Sequence, residues 1–151
     1  ASMKYFAVLL ASLMSVSTSV QPSEENLASL DSLKWKYRVL VIFAETSLVD
    51  AALANLNALA TGIEERDMVW FLFANDELHR NYSGNLGIEF REQIMDRYFT
   101  PVPAETMVVL IGIDGGVKSS NSDLDLEATF GLIDQMPMRK AELRRAGNKL
   151  D

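Results

Sequence analysis

Arg38-Val-Leu-Val-Ile-Phe-Ala44, the span from Glu45 to Gly62, and Asp67-Met-Val-Trp-Phe-Leu-Phe73 together decide the fold. The first segment is apolar on both faces and rich in β-branched residues, the pattern of a strand covered on both sides. The last segment repeats it. Between them Ala52, Leu53, Leu56, Leu59 and Ala60 recur at helical spacing. Ser47-Leu-Val-Asp50 fits a capping box that starts this helix, with Ser47 as N-cap, and Gly62 fits the residue just past its end. A crossover of this kind makes the two strands parallel.

Further along, Asn75 to Gly87 is polar, contains two glycines and reads as a loop. Glu89 to Tyr98 is helical in pattern, with Phe90, Ile94 and Tyr98 on one side, and Pro101 and Pro103 end it. Thr106 to Gly112 is a third strand. Asp114-Gly115 signals a tight turn, and Val117 opens a fourth strand in a hairpin. Ser122 or Asp123 caps the next helix, whose face is Leu126, Phe130 and Ile133. Pro137 interrupts, and Met138 to Lys149 is a basic helical tail. The order β-α-β-α-β-β-α predicts an α/β fold in the thioredoxin-like arrangement, a four-stranded mixed sheet with helices on both faces.

Ahead of this region, residues 1–19 read as an address label. Ala1-Ser2 looks like a cloning remnant before Met3-Lys4. Tyr5 to Val16 is a mostly apolar run, and Ser15, Ser17 and Ser19 supply small residues for cleavage. The run is shorter than the ~20 apolar residues of a membrane span. The expectation is an exported, periplasmic or extracellular protein, with no stable membrane span once the signal is removed. Residues 20–34 then form a linker and a short helix around Asn26–Lys34, and 35–151 form the domain.

Composition mainly excludes. The 151 residues contain no cysteine, so disulfides, a thiol nucleophile, cysteine-ligated metals and dithiol redox chemistry are ruled out. A single histidine rules out a multi-histidine metal site. The net charge of −7 does not suit nucleic-acid binding, which relies on phosphate contacts. That charge is unevenly spread: residues 139–151 carry five basic and two acidic groups, whereas residues 1–138 carry 9 basic against 19 acidic. A basic segment on an acidic body can dock on that body or reach an anionic partner.

Several segments together resemble a known family. They are Trp35-Lys36 with the strand from Arg38, Glu65-Arg66-Asp67, Leu110-Ile-Gly112, Asp114-Gly-Gly116, Val117-Lys118, Ile133-Asp134, Met136-Pro-Met-Arg139 and Glu142. The family is an uncharacterised thioredoxin-like, peroxiredoxin-related domain of bacterial exported proteins. It is shared with vertebrate sushi-repeat-containing secreted and matrix proteins. The resemblance spans about residues 34–145. It implies the fold and an extracellular setting, lends no established reaction, and hints at adhesion through a protein or an envelope or matrix polymer.

In thioredoxin-like proteins the reactive thiol follows the first strand, at a helix N-terminus that stabilises a thiolate. Here Glu45, Thr46, Ser47, Leu48 and Val49 stand there. Thr46 matches the threonine of a peroxiredoxin Thr-x-x-Cys pattern, and Val49 replaces the cysteine. Pro103 lies near the place where such proteins put a cis-proline. Helix capping is the plain account of Thr46 and Ser47. The candidate binding residues are Glu45, Thr46, Ser47, Asp67, Lys118, Arg139, Lys140 and Arg144, with no catalytic residue, metal or cofactor assigned. Lys118 and Arg139 also fit structural salt bridges. His79 reads as a surface loop histidine. Asp123, Asp125 and Glu127 lack the spacing and glycine of a calcium loop. The expected role is a non-catalytic binding module. The alternative is a thiol-independent enzyme using Glu45, Thr46 or Asp67 at the C-terminal ends of the first two strands, where open sheets take ligands.

Overall fold

Side-chain alternation along the central strand sorts the core into two layers. The computed structural model describes residues 25–149, so the expected signal segment lies outside the described residues. Strands β1 (Arg38–Phe43), β2 (Met68–Ala74), β3 (Glu77–Arg80), β4 (Met107–Ile111) and β5 (Val117–Asn121) form one sheet in the order β3-β2-β1-β4-β5. β1 and β2 run parallel, with Arg38 opposite Met68 and Phe43 opposite Phe73. The remaining pairings are antiparallel. The helices are α1 (Val49–Ala58), α2 (Ala60–Glu65), α3 (Phe90–Tyr98), α4 (Leu126–Asp134) and α5 (Pro137–Asn148).

Val39, Val41 and Phe43 point to one layer with Phe71, Phe73, Phe90, Ile94 and Phe99. Leu40 and Ile42 point to the other, with Leu72, Val108, Leu110, Leu56, Leu126 and Ile133. Helix α3 covers the first face, and α1, α2 and α4 cover the second. The first face is aromatic: Phe71 and Phe90 lie 4.8 Å apart and Phe43 and Phe99 5.8 Å apart, between ring centroids. Such tilted pairs add to the stabilisation from burial.

The sheet has five strands where the sequence predicts four. Glu77–Arg80, read as part of a loop, pairs with β2 through Phe71–Arg80 and Ala74–Glu77. Its four residues contain no β-branched type, so the pattern signal is missing. The pairing follows from backbone geometry instead. Asn75 takes φ 44°, a left-handed conformation that asparagine tolerates, and turns the chain back within two residues. His79 therefore sits on an edge strand, 3.0 Å from Glu77 Oε2. Where β3 stops, Asn81 imitates another strand residue. Its Oδ1 accepts from the Trp70 N–H at 2.7 Å, its Nδ2 donates to the Met68 carbonyl at 3.3 Å, and its N–H donates to the Trp70 carbonyl at 3.3 Å.

Other local readings change too. Ser47 is not the helix cap: Thr46–Leu48 is a 3₁₀ turn leading directly into α1, and neither start has a side-chain cap. Gly62 lies inside α2 and is not a terminator. A Cβ there would meet Phe130 Cε2 at 2.7 Å, so the glycine serves close packing of α2 on α4. The cap of α4 is Asp125, whose Oδ1 accepts from the Ala128 N–H at 2.9 Å, in place of Ser122 or Asp123. Pro137 does not break a helix but begins α5 at a first-turn position, where no N–H is needed. The predicted helix around Asn26–Lys34 is a 3₁₀ turn at Leu30–Leu33, and the cis peptide is at Thr100–Pro101, not at Pro103.

Candidate functional site

The β1–β2 pair has two ends, and the chemistry-bearing residues divide between them. Arg38 opens β1 and is 1% exposed. A charge at the head of a buried strand needs partners. Arg38 Nη2 donates to Glu142 Oε1 on α5 at 3.0 Å, and its Nη1 to the Arg66 carbonyl at 3.0 Å. Arg66 binds Asp134 with two nitrogens, Nη2 at 2.8 Å and Nε at 3.1 Å, while its guanidinium lies 4.2 Å from the Phe130 ring centroid. Arg139 Nε reaches Asp134 Oδ1 at 3.3 Å, and its Nη1 reaches the Glu65 carbonyl at 3.0 Å and Glu142 Oε2 at 3.3 Å.

Three guanidinium groups thus meet two carboxylates. The carbonyls of Gly62, Glu65 and Arg66, at the C-terminal end of α2, each accept one further guanidinium donor and help offset the extra positive charge. The Arg66 guanidinium, then burial and Arg139, act on Asp134, and the net effect is to hold its carboxyl below the ordinary range. Arg38 Nε is the one guanidinium nitrogen here that is sealed without a partner. The network fastens α5 and α4 to the start of the sheet.

Arg139, a candidate for partner contact, is buried in this network. Lys140 and Arg144 are exposed on the same helix, and every residue from Leu143 to Lys149 is exposed. Four cations, Lys140, Arg144, Arg145 and Lys149, therefore stand on solvent, while Glu142 is turned inward to Arg38. Lys118 pairs with Asp114 at 2.9 Å across the β4–β5 hairpin, and Asp114 also accepts from the Gly116 N–H at 3.0 Å. Those two contacts, the backbone one first, hold the Asp114 carboxyl below its usual range.

Glu45, Thr46 and Ser47 stand at the opposite end and are exposed. The Thr46 hydroxyl accepts from Asn75 Nδ2 at 2.7 Å. Beside them a cavity of about 210 Å³ is lined by Ala44, Leu48, Asn55, Thr106 and Asp123 among others, and Glu45 is not part of its wall. Thr106 Oγ1 is buried without a hydrogen bond. Asp67 does not join this group. It precedes β2, at φ 48°, and its carbonyl accepts from the Arg38 N–H at 2.9 Å. Some six strand residues, roughly 20 Å, separate it from Glu45, so the two carboxylates share no site.

Sequence reading names Arg38, Arg66, Asp134 and Glu142 only as carriers of a resemblance and misses that they meet. The available signal is Arg38 itself, a charge starting an apolar strand. No group of three or more histidine, aspartate or glutamate side chains placed to hold a metal occurs among the described residues. No helix among them is long and apolar enough to cross a membrane. No curated protein and no solved structure matches the chain. Residues 29–142, which include every member of the ionic network, match the family described as a domain of unknown function (DUF4174), and the chain belongs to that family.

Proposed function

We propose that this protein is an exported, cysteine-free module of thioredoxin-like type that works by binding rather than catalysis. Its expected partner is a protein or an envelope or matrix polymer that carries anionic groups. The subset β2-β1-β4-β5, with one parallel and two antiparallel pairings and helices on both faces, supports the thioredoxin-like reading. Against thiol-type chemistry stands the segment after β1. Val49 is buried in the core, the Thr46 hydroxyl is engaged by Asn75, and the chain has no cysteine. The observation that carries the binding reading is α5. Its first turns are locked to the body by Arg139 and Glu142, and its remaining length presents Lys140, Arg144, Arg145 and Lys149 to solvent. A rigid anchor lowers the ordering cost of binding, and a cluster of one sign steers an oppositely charged partner.

The test is retention on immobilised polyglutamate and dextran sulfate as salt is raised. The parent chain is expected to bind both probes at low ionic strength and release as the Debye length shrinks toward ~8 Å. The Lys140→Glu/Arg144→Glu variant is expected to lose retention with an unchanged unfolding transition. Equal retention of parent and variant overturns the role of α5. A second reading, a thiol-independent enzyme, rests on the cavity with the unpaired Thr106 hydroxyl, and it loses Asp67 as a participant because that residue lies at the other end of the strand pair.

A further inference from the structure

Beyond the α5 reading, and independent of its cations, we propose that the cavity beside the open half of β2 binds a neutral sugar ring. β3 pairs with β2 only from Phe71 onward, so Met68 to Trp70 run past its end. There a cavity of about 370 Å³ opens between α1, α2 and the loop after β3, a size usual for a small-ligand site. Tyr37, Trp70 and Tyr82 line it together with Asn57, Glu64 and Ser83, so its wall combines aromatic and hydrogen-bonding residue types. The Tyr82 ring lies 6.0 Å from that of Phe71 in the α3-side layer, whereas Trp70 belongs to the layer under α1 and α2, so the two residues reach the cavity from the two sides of the sheet.

Trp70 is 6% exposed, and its indole N–H finds no acceptor among the described residues. Among the described residues the sealed, unpaired side-chain atoms are Arg38 Nε and Thr106 Oγ1, so the indole N–H is not shut off from the space it borders. It is therefore a donor free to meet a ligand that enters the cavity.

The wall chemistry narrows that partner. Among the described residues Glu64 is the only charged one lining the cavity, which disfavours an anion. An added peptide strand is disfavoured because Asn81 already occupies the Trp70 N–H and the carbonyls of Met68 and Trp70 along this edge. What fits is an uncharged ring with C–H faces for the aromatic side chains and hydroxyls for Asn57, Glu64, Ser83 and the indole N–H. A pyranose has both features.

The chain contains two tryptophans, so a Trp35→Phe background leaves Trp70 as the only indole signal. Its N–H resonance is followed by NMR during titration with neutral trisaccharides: the trimers of N-acetylglucosamine, cellulose and starch. The expected result is a saturable shift with at least one of them, with a Kd between about 0.1 and 10 mM. In that background Asn57→Ala/Glu64→Ala is expected to weaken the same titration by about tenfold or more, without changing the thermal transition. Lys140→Glu/Arg144→Glu is expected to leave it unchanged, which separates this site from the α5 surface. The proposal falls if none of the three sugars shifts the Trp70 resonance, or if the Asn57→Ala/Glu64→Ala variant binds as well as its background.

Discussion

At the start of the β1–β2 pair, charge is paired and structural, with Arg38 and Arg139 buried and Arg66, Asp134 and Glu142 partly exposed. At its far end the polar groups are exposed or, in Thr106, buried and unused. The contrast teaches how to read the two sets of candidate residues. Burying a guanidinium costs several kcal/mol before pairing offsets it, so an ionic network built on Arg38 and Arg139 is weak as a source of net stability but strict about geometry. Here it fixes where α5 leaves the body. The opposite end carries no such constraint. Open α/β sheets take ligands at the C-terminal ends of their strands, and that is where this molecule leaves a hydroxyl without a partner.

The largest expected effect comes from breaking the ionic end. Arg38→Ala leaves Glu142 facing the vacated strand start and should cost about 3–5 kcal/mol. Thr46→Ala removes one exposed hydrogen bond and should cost at most about 1 kcal/mol. Both are read from denaturant unfolding at neutral pH. Equal costs would break the contrast between the ends.

Acid sharpens the same comparison. Asp134 has a folded pKa below its unfolded value, so its contribution is present above the unfolded value of about 3.9 and is lost as pH falls through the depressed folded value. Asp134→Asn is expected to lower stability by about 1.5–3 kcal/mol at pH 7 and to flatten the acid slope. Asp114, at the β4–β5 hairpin, is depressed in the same direction and keeps part of the slope in the variant. If the parent and Asp134→Asn curves stay parallel from pH 7 to pH 2, the network is not held by the ionised carboxylate.

How legible each part was follows from the kind of signal it leaves. β1, β2 and β4 are buried on both faces and announce themselves by continuous apolar runs. β3 left no such signal because none of its four residues is buried, their exposure does not alternate, and its pairing depends on the backbone of Asn75 and the side chain of Asn81. Gly62 was misread because a packing glycine and a terminating glycine are the same letter, and only the distance to Phe130 separates them. The ionic network escaped for a related reason. Arg38, Arg66 and Arg139 are far apart in sequence, and their partners are two carboxylates among 21 acidic residues, so spacing alone cannot select them. The basic face of α5 was visible as charge, although Arg139 proved to be the anchor and Lys140 and Arg144 the free surface.

The smallest expected effect tests the capping reassignment. A side-chain oxygen that accepts from a first-turn N–H is worth about 1 kcal/mol, because it satisfies a donor that the helix cannot. Asp125 meets that condition, with its Oδ1 2.9 Å from the Ala128 N–H, so Asp125→Ala should lower stability by about that amount. Ser47 does not meet it. It sits inside the 3₁₀ turn ahead of α1 and supplies neither helix start with a cap. Ser47→Ala should therefore stay within about 0.5 kcal/mol of the parent. A loss near 1 kcal/mol at Ser47 would mean that the start of α1 is capped in solution as the sequence motif suggests. The exposed end of the strand pair would then be more ordered than the contrast with the ionic end allows.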